Sequence, residues 1–217
     1  MVIEFLMSKI LGALLIGLML TVGGGAADRQ VDVIPGVDPL EDGIAAYQRG
    51  DFAAALQLFQ PLAERGDASA QCNLGVMYEQ GRGVAQNYRE AMRWFRLAAV
   101  QGNASAQSNL GVMYYKGQGI AQDYGEAMKW YRMSAEQRNP EAQFNLGVMY
   151  EEGRGIAQDR VRAHMWFNLA AASSSDENGK LAAKNRDVIT KSLTREQVFR
   201  AQEMAHQCEA SSFKNCD

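Results

Sequence analysis

Histidine, cysteine and proline are scarce in this chain: two, three and four in 217 residues. The two histidines, His164 and His206, lie far apart. His206 and Cys208 supply two donors, short of the roughly four that a closed zinc site needs, so no metal is implied. Positive charge is not in excess, with 22 Lys+Arg against 25 Asp+Glu and a formal net charge of −3. No basic stripe runs along the sequence, which argues against a nucleic-acid partner. No apolar run approaches the ~20 residues of a membrane-spanning helix, so no span is expected in the mature chain. Reaction motifs are missing too: there is no G-x-S-x-G, no H-E-x-x-H and no phosphate-cradling loop. Ser211-Ser212-Phe213-Lys214 matches S-x-x-K but has no S-D-N or K-T-G to support it. Neither a catalytic residue nor a cofactor is indicated.

The hydrophobic fraction, 47%, is ordinary for a globular protein. The first residues have a different character from the rest. Lys9 precedes an uncharged apolar run of about 13 residues, Ile10–Val22, and then Gly25-Ala26-Ala27. A positive start, a short apolar core and a small-x-small site are the layout of a secretory signal peptide over residues 1–27. Cleavage after Ala27 would leave a mature chain beginning at Asp28, exported to a periplasm or secreted. An uncleaved anchor is the alternative, and Met7 competes with Met1 as the start. No cysteine follows the apolar run to take a lipid. Residues 28–38, with Pro35 and Gly36, are expected to form an extended lead-in. Export permits a disulfide between Cys208 and Cys216. Two unpaired thiols on a frayed tail are the other reading, and Cys72 is left over in either case.

The chain's strongest signal is repetition. AQCNLGVMY at Ala70–Tyr78 returns as AQSNLGVMY at Ala106–Tyr114 and as AQFNLGVMY at Ala142–Tyr150, so that Leu74, Leu110 and Leu146 stand 36 residues apart. A fixed period in this range marks a stack of helix pairs. In the unit from Ala68 to Asn103, Ala70, Leu74, Met77 and Tyr78 share one helical face. Gly75, Gly111 and Gly147 sit beside that face, where a missing side chain permits close approach of the next helix. Gly81-Arg82-Gly83, Gly117-Gln118-Gly119 and Gly153-Arg154-Gly155 end the first helices. Asn87, Asp123 and Asp159 stand as N-caps of the second. Trp94, Trp130 and Trp166 keep the same period among alanines and are assigned to the core. Gly102 closes its unit; Asn139 is expected to replace it at the next boundary, with Pro140 opening the following helix.

The pattern A-x-x-x-L-G-x-x-Y-x-x-G-x-G-x-x-x-[DN]-x-x-x-A-x-x-W-x-x-x-A-A resembles the Sel1-like repeat, a relative of the tetratricopeptide repeat with a longer turn between its helices. Three units carry it, 68–103, 104–139 and 140–175; the last replaces YxEAM with RVRAHM. Upstream, 39–67 resembles an ordinary tetratricopeptide pair, with Pro61 late in its second helix. Downstream, 176–217 holds two further helices and a tail that cap the array, Thr194 opening the second. The expected fold is an all-α superhelix of stacked helix pairs. One exported branch of the family, rich in cysteine, has been associated with β-lactam binding or hydrolysis. It carries paired cysteines in every repeat, whereas these repeats hold only Cys72.

The resemblance implies that first helices line a concave groove that holds a protein or peptide. Opposite the core face, the 3.6-residue period places Cys72, Val76 and Glu79, then Ser108, Val112 and Tyr115, then Phe144, Val148 and Glu151. Asn73, Asn109 and Asn145 flank this strip, one per unit. Their amides either hold a bound backbone or tie neighbouring helices together. Gln71, Gln107 and Gln143 are expected to be structural or solvent-facing. A monomeric binding module or scaffold is the leading reading; a β-lactam-active enzyme and a structural cell-envelope protein are the alternatives.

Overall fold

The computed structural model describes residues 38–214 and Cys216; the leader over 1–27 and the lead-in up to residue 37 lie outside the described residues. The described residues form ten helices and no strand: α1 (Pro39–Gln48), α2 (Phe52–Glu64), α3 (Ala68–Gln80), α4 (Tyr88–Val100), α5 (Ala104–Lys116), α6 (Tyr124–Ala135), α7 (Pro140–Glu152), α8 (Arg160–Ser173), α9 (Glu177–Thr190) and α10 (Arg195–Ala210). None is long and apolar enough to cross a membrane.

Short polar side chains set the helix starts. Asp67, Asn103 and Asn139 each accept the amide three residues on, at 2.7, 2.9 and 2.9 Å, and so begin α3, α5 and α7. Asn87, Asp123 and Asp159 do the same for the second helices. The first helices stop at Gly81, Gly117 and Gly153, all left-handed with φ of 68°, 69° and 67°. Gln86, Gln122 and Gln158 then close each turn by donating to the carbonyls of Glu79, Tyr115 and Glu151 at 2.7, 2.7 and 2.6 Å. At the unit boundaries Gly66 and Gly102 are left-handed, and the third such position belongs to Arg138, with φ 63°. Asn139 therefore does not replace Gly102. It caps α7 instead, and the arginine one residue earlier adopts the backbone that the boundary turn requires.

Two glycine contacts fix the packing. A Cβ on Gly75, Gly111 or Gly147 would lie 2.6, 2.5 or 2.7 Å from the ring of Phe95, Tyr131 or Phe167. Each first helix is therefore pressed flat against an aromatic ring of its own partner. The second glycine of each turn makes the contact between units. A Cβ on Gly83, Gly119 or Gly155 would meet Phe52 O, Tyr88 O or Tyr124 Cβ at 2.7, 2.8 and 2.7 Å, at the start of the preceding unit's second helix. Leu74, Met77, Leu110, Met113, Leu146 and Met149 fill the space between and are fully buried. Trp94 and Trp166 are buried and Trp130 half-buried, in keeping with a core role.

Helices pack chiefly on their neighbours in sequence, with further contact between the first helices α5 and α7. The end of the array is irregular: α9 and α10 both pack on α8. Thr194 and Gln197 form a reciprocal capping box at the start of α10. Cys208 and Cys216 are joined by a disulfide with Cα atoms 4.8 Å apart. The closed loop buries Phe213, and the Arg138 guanidinium lies 4.8 Å from its ring centroid.

Gly111→Ala is expected to destabilise the chain by about 1–3 kcal/mol in urea unfolding, through overpacking against Tyr131. This holds even though alanine gains roughly 1 kcal/mol of helix propensity over glycine. A neutral or stabilising result would show that the ring has room to move.

Candidate partner-binding face

A first helix in this stack packs on its partner and on the units before and after it, so its buried arc is wider than one apolar stripe. Two of the residues placed in the strip are therefore core. Cys72 is 7% exposed and Ser108 is fully buried; they point between helices and offer no surface to a partner. The other seven residues of the strip and the three flanking asparagines are half-buried. Val76, Val112, Val148, Tyr115 and Phe144 lean on the core, and the Phe144 ring sits 5.3 Å from that of Phe167. Their remaining surface, together with Asn73, Asn109 and Asn145, makes the accessible part of the first-helix row.

The two amide columns behave differently. Gln71, Gln107 and Gln143 are buried. Gln71 donates to Ala63 O at 3.0 Å and accepts from Gln101 at 2.8 Å. Gln107 repeats this with Ala99 O at 3.1 Å and Gln137 at 2.8 Å. These glutamines tie units together and are structural. Gln143 is the exception, with neither amide atom hydrogen-bonded among the described residues. Asn73, Asn109 and Asn145 have no side-chain hydrogen bond among the described residues and keep some contact with solvent.

At the edge of this face, aromatic and charged side chains bridge successive units. Tyr47 and Phe52 meet edge to face, and Arg82 lies over both while donating to Tyr47 Oη at 3.1 Å. Two units further on, Tyr115 and Tyr124 form the same pair under Arg154. There Tyr115 Oη donates to Glu152 at 3.0 Å, and Glu152 pairs with Arg154 at 2.7 Å. Tyr115 is thus largely engaged within the chain. Sequence reasoning missed Tyr47, Phe52, Tyr124 and the two arginines, although Arg82, Gln118 and Arg154 recur at the repeat period inside the glycine turns.

Acidic groups on this side are held partly out of water. Burial raises the Glu79 carboxyl above its ordinary range; Lys116 opposes the shift and Glu141 adds to it. Glu141 is exposed along its length, yet its carboxyl is raised in the same direction by desolvation and opposed by the same lysine. Glu151 is raised by burial and by Glu152, against Arg160. Burial, with the hydrogen bond to Glu152, lifts the Tyr115 phenol to about 12. Burial and then Glu79 push the Cys72 thiol up to about 12, so it stays protonated at neutral pH and is a poor nucleophile.

Other chemistry finds little to build on. Ser211 Oγ lies 2.8 Å from Cys208 O and 2.6 Å from Lys214 O, which share its one proton, so the S-x-x-K hydroxyl serves the C-terminal turn. Cys208 is in the disulfide and cannot join His206 on a metal. No three His, Cys, Asp or Glu side chains converge among the described residues. His164 is buried beside Thr190 at 3.1 Å, and burial, then Arg186, hold its pKa below the usual value.

Stacked helix hairpins with a half-buried polar and apolar row along their first helices define an α-solenoid. The chain belongs to the Sel1 repeat family: the model of the Sel1 repeat matches residues 40–67, 68–103, 104–139 and 140–175, more than half of its length. The first of these is the unit that resembled an ordinary tetratricopeptide pair. A Sel1 repeat protein from Oxalobacter formigenes, known from its crystal structure, is 27% identical with a TM-score of 0.66, over 81% of this chain and 75% of that one. A protective antigen of uropathogenic Escherichia coli strains displaying an SLR fold is 26% identical with a TM-score of 0.54, over 79% of this chain. The chain spans about half, 47%, of that antigen's length. Among the curated proteins none matches. Sel1 repeats generally mediate protein–protein interaction, and proteins built from them are typically non-enzymatic scaffolds.

The raised carboxyl of Glu79 has a consequence for stability. A carboxyl with a higher pKa in the folded than in the unfolded chain favours folding while protonated, and that contribution is lost as pH rises through the folded value. Glu79→Gln should therefore raise the urea midpoint at pH 7, and the gain should vanish as the pH falls below the ordinary glutamate value of 4.5. A variant less stable than the parent at pH 7 would contradict this.

Proposed function

We propose that this chain is an exported module that binds a protein or peptide partner along its first-helix face. The observation that carries the reading is the asparagine column. Asparagine is a poor helix former because its side chain competes for the backbone, yet it recurs mid-helix as Asn73, Asn109 and Asn145. None of the three amides is hydrogen-bonded among the described residues, whereas the neighbouring Gln71 and Gln107 knit the units together. An amide donates and accepts at once, so three in register suit a polypeptide backbone laid across the units. Val76, Val112, Val148 and Phe144 supply apolar contact beside them. Affinity then comes from many small contacts on a surface that is already formed. The leader over residues 1–27 carries the chain out of the cytoplasm into an oxidising compartment in which the Cys208–Cys216 bond persists.

Peptides selected on the purified chain from a displayed library provide the test. With Asn73, Asn109 and Asn145 all changed to Ala, the selected peptides should bind at least tenfold more weakly, since each lost hydrogen bond is worth about 0.5–1.5 kcal/mol. Circular dichroism should be unchanged. Unaltered affinity in a folded variant would remove the asparagine ladder from the account. Export is checked separately by N-terminal sequencing of the protein recovered from cell fractions. Asp28 should be its first residue, and an intact leader on a cytoplasmic protein would refute export.

A further inference from the structure

The junctions between successive units share one template, and the middle junction departs from it. Where the first unit meets the second, Tyr47, Phe52 and Arg82 form a stack with the guanidinium 5.4 and 5.3 Å from the two rings. Where the third meets the fourth, Tyr115, Tyr124 and Arg154 do so at 5.2 and 5.7 Å. Between them, at the second junction, Glu79 stands in the tyrosine column, Tyr88 keeps the second ring, and Gln118 stands where the flanking turns have arginine. The backbone is the same: Gly119 abuts Tyr88 as Gly155 abuts Tyr124. Only the side chains differ.

The exchange leaves hydrogen-bond acceptors without a donor. Gln118 Oε1 is buried and has no hydrogen bond among the described residues. The Glu79 carboxylate, half-buried, makes no hydrogen bond and no ion pair within 4 Å among them. Lys116 is close enough to be felt by both Glu79 and Glu141, so this lysine is shared between two carboxylates. The Tyr88 hydroxyl is held by Gln86 at 3.1 Å, while among the described residues its ring carries no cation of the kind stacked at the two flanking junctions. A guanidinium answers every one of these needs. It offers five donors in a planar fork, pairs with a carboxylate through two of them, and lies flat on an aromatic ring. A lysine ammonium has three donors but is a compact point charge, with no planar fork for the carboxylate and no flat face for the ring.

We propose that the junction formed by Glu79, Tyr88 and Gln118 receives an arginine side chain of the bound partner, in the position that Arg82 and Arg154 hold at the flanking junctions. This rests on the partner-binding reading above and names the side chain that it recognises.

The test is an NMR titration of the isotopically labelled full chain with N-acetyl-arginine amide, and with N-acetyl-lysine amide as the control. The arginine probe should shift signals of Glu79, Tyr88 and Gln118 first. Its dissociation constant should rise at least tenfold in Glu79→Gln and in Gln118→Arg, the second of which supplies the guanidinium from within the chain. The lysine probe should bind at least threefold more weakly than the arginine probe. Conserved spectra elsewhere report that the variants fold. Equal affinity in parent and Gln118→Arg, or shifts centred away from the junction, would overturn the proposal. A selected peptide that loses affinity with the asparagine variant but not with Gln118→Arg would overturn it as well, while leaving the groove reading intact.

Discussion

Each hairpin of this chain depends on the absence of a side chain at the middle of its first helix. Gly75, Gly111 and Gly147 let the Phe95, Tyr131 and Phe167 rings come within a distance that no Cβ would tolerate. The rings are buried as a result, each contributing roughly 1.5–3 kcal/mol of apolar burial. That contact sets the spacing within a hairpin. Gly83, Gly119 and Gly155 set the spacing between hairpins in the same manner, against the start of the preceding second helix. Two glycines per unit thus propagate one geometry along the stack, and everything on the first-helix face inherits a 36-residue register.

The register explains why amide and aromatic columns form. A residue type repeated at the same position in three units comes to lie in a row, so a weak contact in one unit becomes a ladder in three. Gln71 and Gln107 use their row for structure, joining a backbone carbonyl of the preceding unit to a glutamine just past the end of the unit's own second helix. The asparagine row points elsewhere and remains free among the described residues. The edge row alternates between filled arginine stacks and a middle position of reversed character. Departures from the repeat, more than the repeat itself, are where selectivity for one partner would be written.

Much of the fold was legible in the residues because the relevant forces are local. The Asn and Asp caps, the left-handed Gly81, Gly117 and Gly153, and the Thr194 capping box each act within a few residues of their own position. The wide burial of the first helices was not legible, since it depends on neighbours 36 residues away on either side. Cys72 and Ser108 were therefore assigned to the surface when they belong to the core. Arg138 was overlooked at the unit boundary because its positive φ is imposed by the turn against the residue's own preference. The Arg82 and Arg154 stacks escaped notice for a different reason: their rings come from the unit before, and nothing in the local pattern announces the contact.

The central claim is that partners lie along the first helices and not on the second helices or the C-terminal cap. Amide hydrogen exchange of the chain with and without a selected peptide tests this most directly. Added protection centred on α3, α5 and α7 and the turns that follow them is the predicted result. Protection concentrated on α4 and α6, or on α9 and α10, would place the working surface elsewhere and contradict the account.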